Sequence, residues 1–161
     1  MKTIKMKKVL IAIDYYPSAQ KIAEVGFTMA KSLGAEIILL HVITEPTYYS
    51  STDFSPIMGF TGYSDAFALP LESNDEIIKA SLAFLDKTKN HLGDKSIKTM
   101  VEDGVFSEVI LKIAKKEHVD IIIMGSHSQK WLENIVMGSV TEDVLRKTTI
   151  PLFIVPVKEH K

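Results

Sequence analysis

Short, nearly unbroken apolar runs separated by amphipathic stretches leave this chain few folds to choose from. Val9-Leu10-Ile11-Ala12-Ile13 and Ile121 to Met124 read as buried strands, and Ile37 to Val42 and Leu152 to Val155 as further strands. Ile97 to Val101 is a shorter, more polar strand. Helical stretches lie between them. One runs from Pro17 or Ser18 to Leu33, with Ile22, Val25, Met29 and Leu33 on one face. Pro17 suits its first turn and Gly34 its stop. Ser73-x-x-Glu76 is a capping box that opens a second helix through Ile77, Ala80, Ser81, Phe84 and Leu85 towards Gly93. Phe106 to Glu117 forms a third, with Val109, Ile110 and Ile113 inward, and Ser139 to Lys147 a fourth. Strand–helix alternation predicts an α/β fold: a parallel sheet, helices on both faces, right-handed crossovers.

At 161 residues the chain is most simply one domain, residues 1–161, with room for a sizeable core. Its net charge of −1 argues against electrostatic binding to nucleic acid or to an anionic membrane. The absence of cysteine excludes disulfides, thiol catalysis and zinc–thiolate sites. No apolar run approaches the ~18 residues of a membrane span. The basic start, Met1 to Lys8, precedes an apolar run too short for a signal peptide, so a cytoplasmic location is expected. Residues 44–72 break the alternation: Tyr48, Tyr49, Phe54, Phe60, Tyr63 and Phe67 share this stretch with Pro46, Pro56 and Pro70. It reads as a lid, as a partner-binding surface, or as a loop packing its own aromatics.

Open parallel sheets bind ligands at the carboxyl ends of their strands, where the strand order reverses. With strand one central, the crevice lies between the ends of strands one and four, which carry Asp14 and Gly125. Met124-Gly125-Ser126-His127-Ser128 leaves strand four, and Gly138-Ser139-Val140-Thr141 opens the last helix. Backbone N–H groups at such turns bind anions, phosphates above all. Each half also has a plainer reading, Gly125 as a strand-exit turn and Ser139-x-x-Glu142 as a helix cap. Asp14 suits a ribose hydroxyl, a phosphate-bound metal ion or a helix cap. His127 could donate to a phosphate. The five histidines show no metal-ligand spacing. The chain has no P-loop, no G-x-G-x-x-G, no G-x-S-x-G and no nucleophile–base pair that argues for catalysis.

These residues resemble those of the universal stress proteins over nearly the whole chain. Val9 to Asp14 is similar to the family's first strand with its terminal aspartate. Ala30-Lys31-Ser32-Leu33-Gly34-Ala35-Glu36 and Leu39-Leu40-His41-Val42 are similar to its first helix end and second strand. Asp120 to His127, Gly138 to Leu145 and Ile150 to Val155 match its closing elements. The resemblance implies an open five-stranded parallel sheet of order 3-2-1-4-5, Rossmann-like, in a homodimer joined through the last strand. ATP-binding members carry G-x-x-G, nine residues, then G-[S/T]. Here Gly125, Gly138 and Ser139 keep the spacing, while Ser128 replaces the middle glycine and Asp14-Tyr15-Tyr16 replaces a frequent D-G-S. By position, Ala12, Asp14 and Val42 would line the adenosine side, with Met124 at the strand tip. Gly125, His127, Ser128, Gly138, Ser139, Val140 and Thr141 would face the phosphates.

The resulting expectation is a non-enzymatic stress-response protein. It binds ATP, AMP or another adenine nucleotide, with Mg²⁺ or Mn²⁺ bridging the phosphates. The alternative is a nucleotide-independent dimer that works through an unknown protein partner. Ser128 favours the alternative; the intact spacing favours binding.

Overall fold

The computed structural model describes residues 1–14, 18–43, 73–126 and 139–157. The candidate lid at 44–72, and His127, Ser128 and Gly138 of the candidate loops, lie outside them. Strand β1 (Lys8–Ala12) leads to helix α1 (Ala19–Ser32), and β2 (Glu36–Ile43) to α2 (Asn74–Leu92). Then come β3 (Lys98–Asp103), α3 (Phe106–Lys116), β4 (Ile121–Gly125), α4 (Ser139–Lys147) and β5 (Leu152–Val155). The sheet is parallel throughout, in the order β3-β2-β1-β4-β5. Both the α/β class and the strand order agree with the expectation.

Burial tracks position in the sheet. Val9, Leu10 and Ile11 of the central strand and Ile122 and Ile123 of its neighbour are fully buried. Edge strand β3 has no buried residue, and β5 has only Val155. Because side chains alternate across a strand, odd and even positions feed separate apolar layers. Val9, Ile11, Leu39 and Ile123 pack with α1 and α2. Leu10, Leu40, Val42, Ile122 and Met124 pack with α3 and α4.

The helices are bounded by local chemistry. Ser73 Oγ accepts the Glu76 N–H at 3.3 Å and the Glu76 carboxylate accepts the Ser73 N–H at 3.3 Å, so the capping box forms. Gly93, at φ 72°, closes α2 in the left-handed conformation that costs glycine least. Helix α1 departs from its expected face only at Leu33. Its buried stripe is Ala19, Ile22, Ala23, Gly26 and Ala30; Val25 and Met29 flank it, and Leu33 is 38% exposed. Small residues let the helix sit close to the sheet. A Cβ on Gly26 would stand 2.8 Å from Ile11 Cδ1. None of the described helices is long and apolar enough to cross a membrane.

Candidate functional site

The order β2-β1-β4 places the exits of β1 and β4 side by side, with helices leaving towards opposite faces of the sheet. A cleft opens there, partly exposed to solvent. Its floor is Ala12, Ile13 and Asp14 from the end of β1, Leu40 and Val42 from β2, and Met124 and Gly125 from β4. Phe106 and Ile110 of α3 and Val140 and Thr141 of α4 form one wall. Ser18 and Ile22 at the start of α1 form the other.

The site is thus built from residues far apart in sequence. Ala12, Asp14, Val42, Met124, Gly125, Val140 and Thr141 of the expected set line one cleft. Ser139 begins α4 at the same end of the sheet. Ile13, Ser18, Ile22, Leu40, Phe106 and Ile110 were not anticipated as site residues. Their signal is topological: each sits at a strand's carboxyl end or in a helix's first two turns, the part of a doubly wound fold that faces the crevice. Asp14 lies on the cleft floor, and the residue at the N-cap position of α1 is Ser18, so the helix-cap reading of Asp14 does not apply.

Several contacts fix the cleft's parts. Thr141, 1% exposed, donates its hydroxyl to the Gly125 carbonyl at 2.8 Å, seating α4 on the tip of β4. Ser107 donates to the Asp143 carboxylate, joining α3 to α4. That bond, with Lys147 at 3.1 Å adding to it, holds the Asp143 carboxyl below its ordinary range. Ser126 is a lock between strands: its N–H donates to Val155 O at 3.0 Å and its Oγ accepts from Val157 N–H at 3.2 Å. Glycine at position 125 serves packing. Its φ is not left-handed, and a Cβ there would stand 2.5 Å from Ile22 Cδ1 and 3.4 Å from Val157 Cγ1.

Beneath the floor lies His41, 1% exposed. Its Nδ1 sits 3.0 Å from the Ile13 carbonyl, which can only accept, so Nδ1 carries the proton and donates. The ring meets Phe84 edge-on, with centroids 6.1 Å apart. Burial pushes its pKa from 6.5 down to about 4, so it is neutral near pH 7. Ile13 N–H also donates to Leu40 O at 3.0 Å. Two bonds from β2 therefore hold the backbone that presents Asp14.

The arrangement suits a ligand with an apolar body and polar ends. Most of the lining is aliphatic, and Asp14, Ser18 and Thr141 supply polar groups. No cluster of three His, Asp or Glu side chains that could hold a metal ion occurs among the described residues.

Comparison with known proteins agrees with this geometry. The family model for the universal stress protein family matches residues 5–156. Universal stress protein MJ0577 of Methanocaldococcus jannaschii is 34% identical over 160 residues, covering 97% of this chain and 98% of that protein. The solved structure of MJ0577 superposes with a TM-score of 0.69 at 31% identity, covering 98% of this chain and 100% of that one. A universal stress protein in complex with cAMP has a TM-score of 0.64 at 16% identity, covering 95% of this chain and 98% of that one. An Archaeoglobus fulgidus universal stress protein in complex with dAMP scores 0.58 at 14% identity, covering 94% and 98%. At these last two identities the likeness is one of fold. The chain belongs to the universal stress protein family.

Proposed function

We propose that this chain binds an adenine nucleotide, ATP or AMP, in the cleft between the ends of β1 and β4. Binding serves a sensing or regulatory role in a cytoplasmic stress response, without catalysis. The observation that carries the proposal is the convergence of the β1 exit, the β4 tip and the first turn of α4 on one cleft. Apolar floor residues such as Val42 and Met124 suit a base. Asp14 suits sugar hydroxyls, or a Mg²⁺ or Mn²⁺ ion bridging phosphates. The first turn of α4 offers backbone N–H groups and a positive dipole end to phosphates, and Gly138, Ser139, His127 and Ser128 would complete that side. The cAMP and dAMP complexes of proteins with this fold support the choice of nucleotide.

Two measurements test it. Adenine nucleotide should co-purify with the protein, seen as excess absorbance and identified by chromatography after denaturation. Calorimetric titration with ATP and Mg²⁺ should give a binding isotherm. Folded protein that shows neither, even at millimolar ATP, would instead fit the nucleotide-independent interaction module.

The assembly proposed is a two-fold dimer joined through β5. That strand is an edge of the sheet, pairs with β4, and leaves Leu152, Phe153 and Ile154 half-exposed. An apolar edge favours pairing with a second copy, and Pro151 and Pro156 confine the pairing to a short segment. Light scattering should report a dimer at micromolar concentration; a monomer overturns this assembly and leaves the nucleotide reading standing.

A further inference from the structure

The net charge of −1 is spread unevenly over the molecule. In a parallel sheet every strand starts at the same end, and here that end gathers lysines. Lys2, Lys5 and Lys7 precede β1, Lys95 precedes β3, and Lys115 and Lys116 end α3 just before β4; each is exposed. The ion pairs at this end are made by other lysines: Lys31 with Asp94, Lys98 with Glu117 and Lys8 with Glu36. Asp120 accepts backbone N–H groups of Lys7 and Lys8. The acidic groups there are thus already matched, and the face is left positive. The Glu117 carboxyl registers this field: its bond from Lys98 holds it below its ordinary range, and the charges of Lys8 and Lys116 add to the effect. Helix dipoles account for Lys115 and Lys116, but not for Lys2, Lys5 and Lys7, which follow no helix.

The charge of the whole chain does not describe this face. Strands β1 and β2, of five and eight residues, rise about 3.3 Å per residue, so the cleft end lies well beyond the Debye length of about 8 Å at physiological salt. A surface that meets the amino end feels the charge of that end alone. Apolar side chains then select among anionic partners. Met1 and Ile4 alternate with Lys2 and Lys5 and lie open to solvent, Ile4 at 80%. Single-stranded nucleic acid is held by stacking aromatics and arginine as well as by charge. Lysine stems and aliphatic groups instead enter a lipid interface while the ammonium groups stay among the headgroups. We propose that the amino end of the sheet docks on an anionic lipid surface, with Lys2, Lys5, Lys7, Lys115 and Lys116 at the headgroups and Ile4 in the interface. The cleft, at the opposite end, stays open to its ligand. The inference is independent of the nucleotide reading, which titration of the cleft tests separately.

The test is sedimentation of the full chain with vesicles of phosphatidylcholine, with and without phosphatidylserine. The protein should partition onto the anionic vesicles and not the neutral ones, and added salt should release it. The double variant Lys2→Glu, Lys5→Glu should weaken partitioning about ten-fold or more, and Ile4→Ser about three-fold. Both variants should keep the wild-type urea midpoint, because the altered side chains are exposed. No partitioning onto anionic vesicles, equal partitioning onto neutral ones, or an unchanged partition constant in either variant would each overturn the assignment. So would a preference for duplex DNA over anionic vesicles in direct competition.

Discussion

At the amino ends of its strands the sheet is closed by short turns tied by several hydrogen bonds and ion pairs, whereas at the carboxyl ends it opens into the cleft. Ser32 to Glu36, Lys116 to Ile121 and Lys147 to Leu152 are connections of a few residues. Asp120 accepts the N–H groups of Lys7 and Lys8 at 2.8 and 2.9 Å, and Glu36 N–H donates to Lys7 O at 2.8 Å. Lys31 pairs with Asp94 at 2.8 Å and Lys98 with Glu117 at 2.9 Å. At the other end, the chain takes longer paths from Ala12 to Ala19 and from Gly125 to Ser139, and the buried Ser18 hydroxyl has no partner among the described residues. One end is tied by bonds within the chain; the other opens into the cleft. Division of this kind lets a rigid frame hold a site whose own groups are not optimised for stability.

The comparison predicts that changes at the amino end alter stability and spare binding. Asp120→Ala removes the acceptor of two backbone donors at the start of β1. It should lower unfolding stability by about 2 kcal/mol in urea titration, with nucleotide affinity unchanged. A larger effect on affinity than on stability would erase the distinction between the ends.

Acid should act on the cleft end first. Above pH 6.5 His41 is neutral in both folded and unfolded chains and adds no slope. Below it the unfolded chain takes up the proton while the buried ring, titrating at about 4, does not. Stability should therefore fall as pH drops through this window, by up to about 1.4 kcal/mol per pH unit. The amino-end carboxyls Asp94 and Glu117 are held below their ordinary range by hydrogen bonds from Lys31 and Lys98. These surface carboxyls take up protons only at lower pH than His41, and solvent screening keeps their effect on stability small. Urea midpoints across the window, compared with those of His41→Gln, check this; identical slopes would show that the histidine is not the titrating group.

Thr141→Val keeps shape and burial but deletes the bond to the Gly125 carbonyl. The expected cost is about 1 kcal/mol in stability, together with weaker nucleotide binding, because α4 loses its seat on β4. Loss of stability alone would mean that α4 is placed by packing. The smallest effect belongs to Lys98→Met, which removes an exposed ion pair at the amino end. Solvent and salt screen such pairs, so neither the urea midpoint nor the affinity should move measurably.

Much of the architecture was legible in the order of residues. Continuous apolar runs identified β1, β2 and β4, because a strand covered on both faces has no polar side to show, and the same kind of run identified β5 although it lies at the sheet's edge. The Ser73 and Glu76 pair marked the start of α2, since capping is a contact between near neighbours. The face of α1 was misjudged at Leu33. Spacing alone cannot tell that Ala19, Ala23, Gly26 and Ala30 allow a closer approach than the larger residues beside them. Asp14, Gly125 and Thr141 were readable as site candidates, helped by family resemblance. Ser18, Ile22, Phe106 and Ile110 were not, because in sequence they look like ordinary helix starts and core positions.

By itself the sequence determined the alternation of elements and their approximate limits, both of which depend on contacts within a few residues. Tertiary structure decided which strand ends adjoin, and so which side chains share a cleft. It decided that glycine at 125 accommodates Ile22, that His41 is held neutral beneath the floor, and that Ser18 is buried unpaired. Each of these arises from packing between segments distant in the chain, where burial and the partner atoms, rather than residue type, set the chemistry.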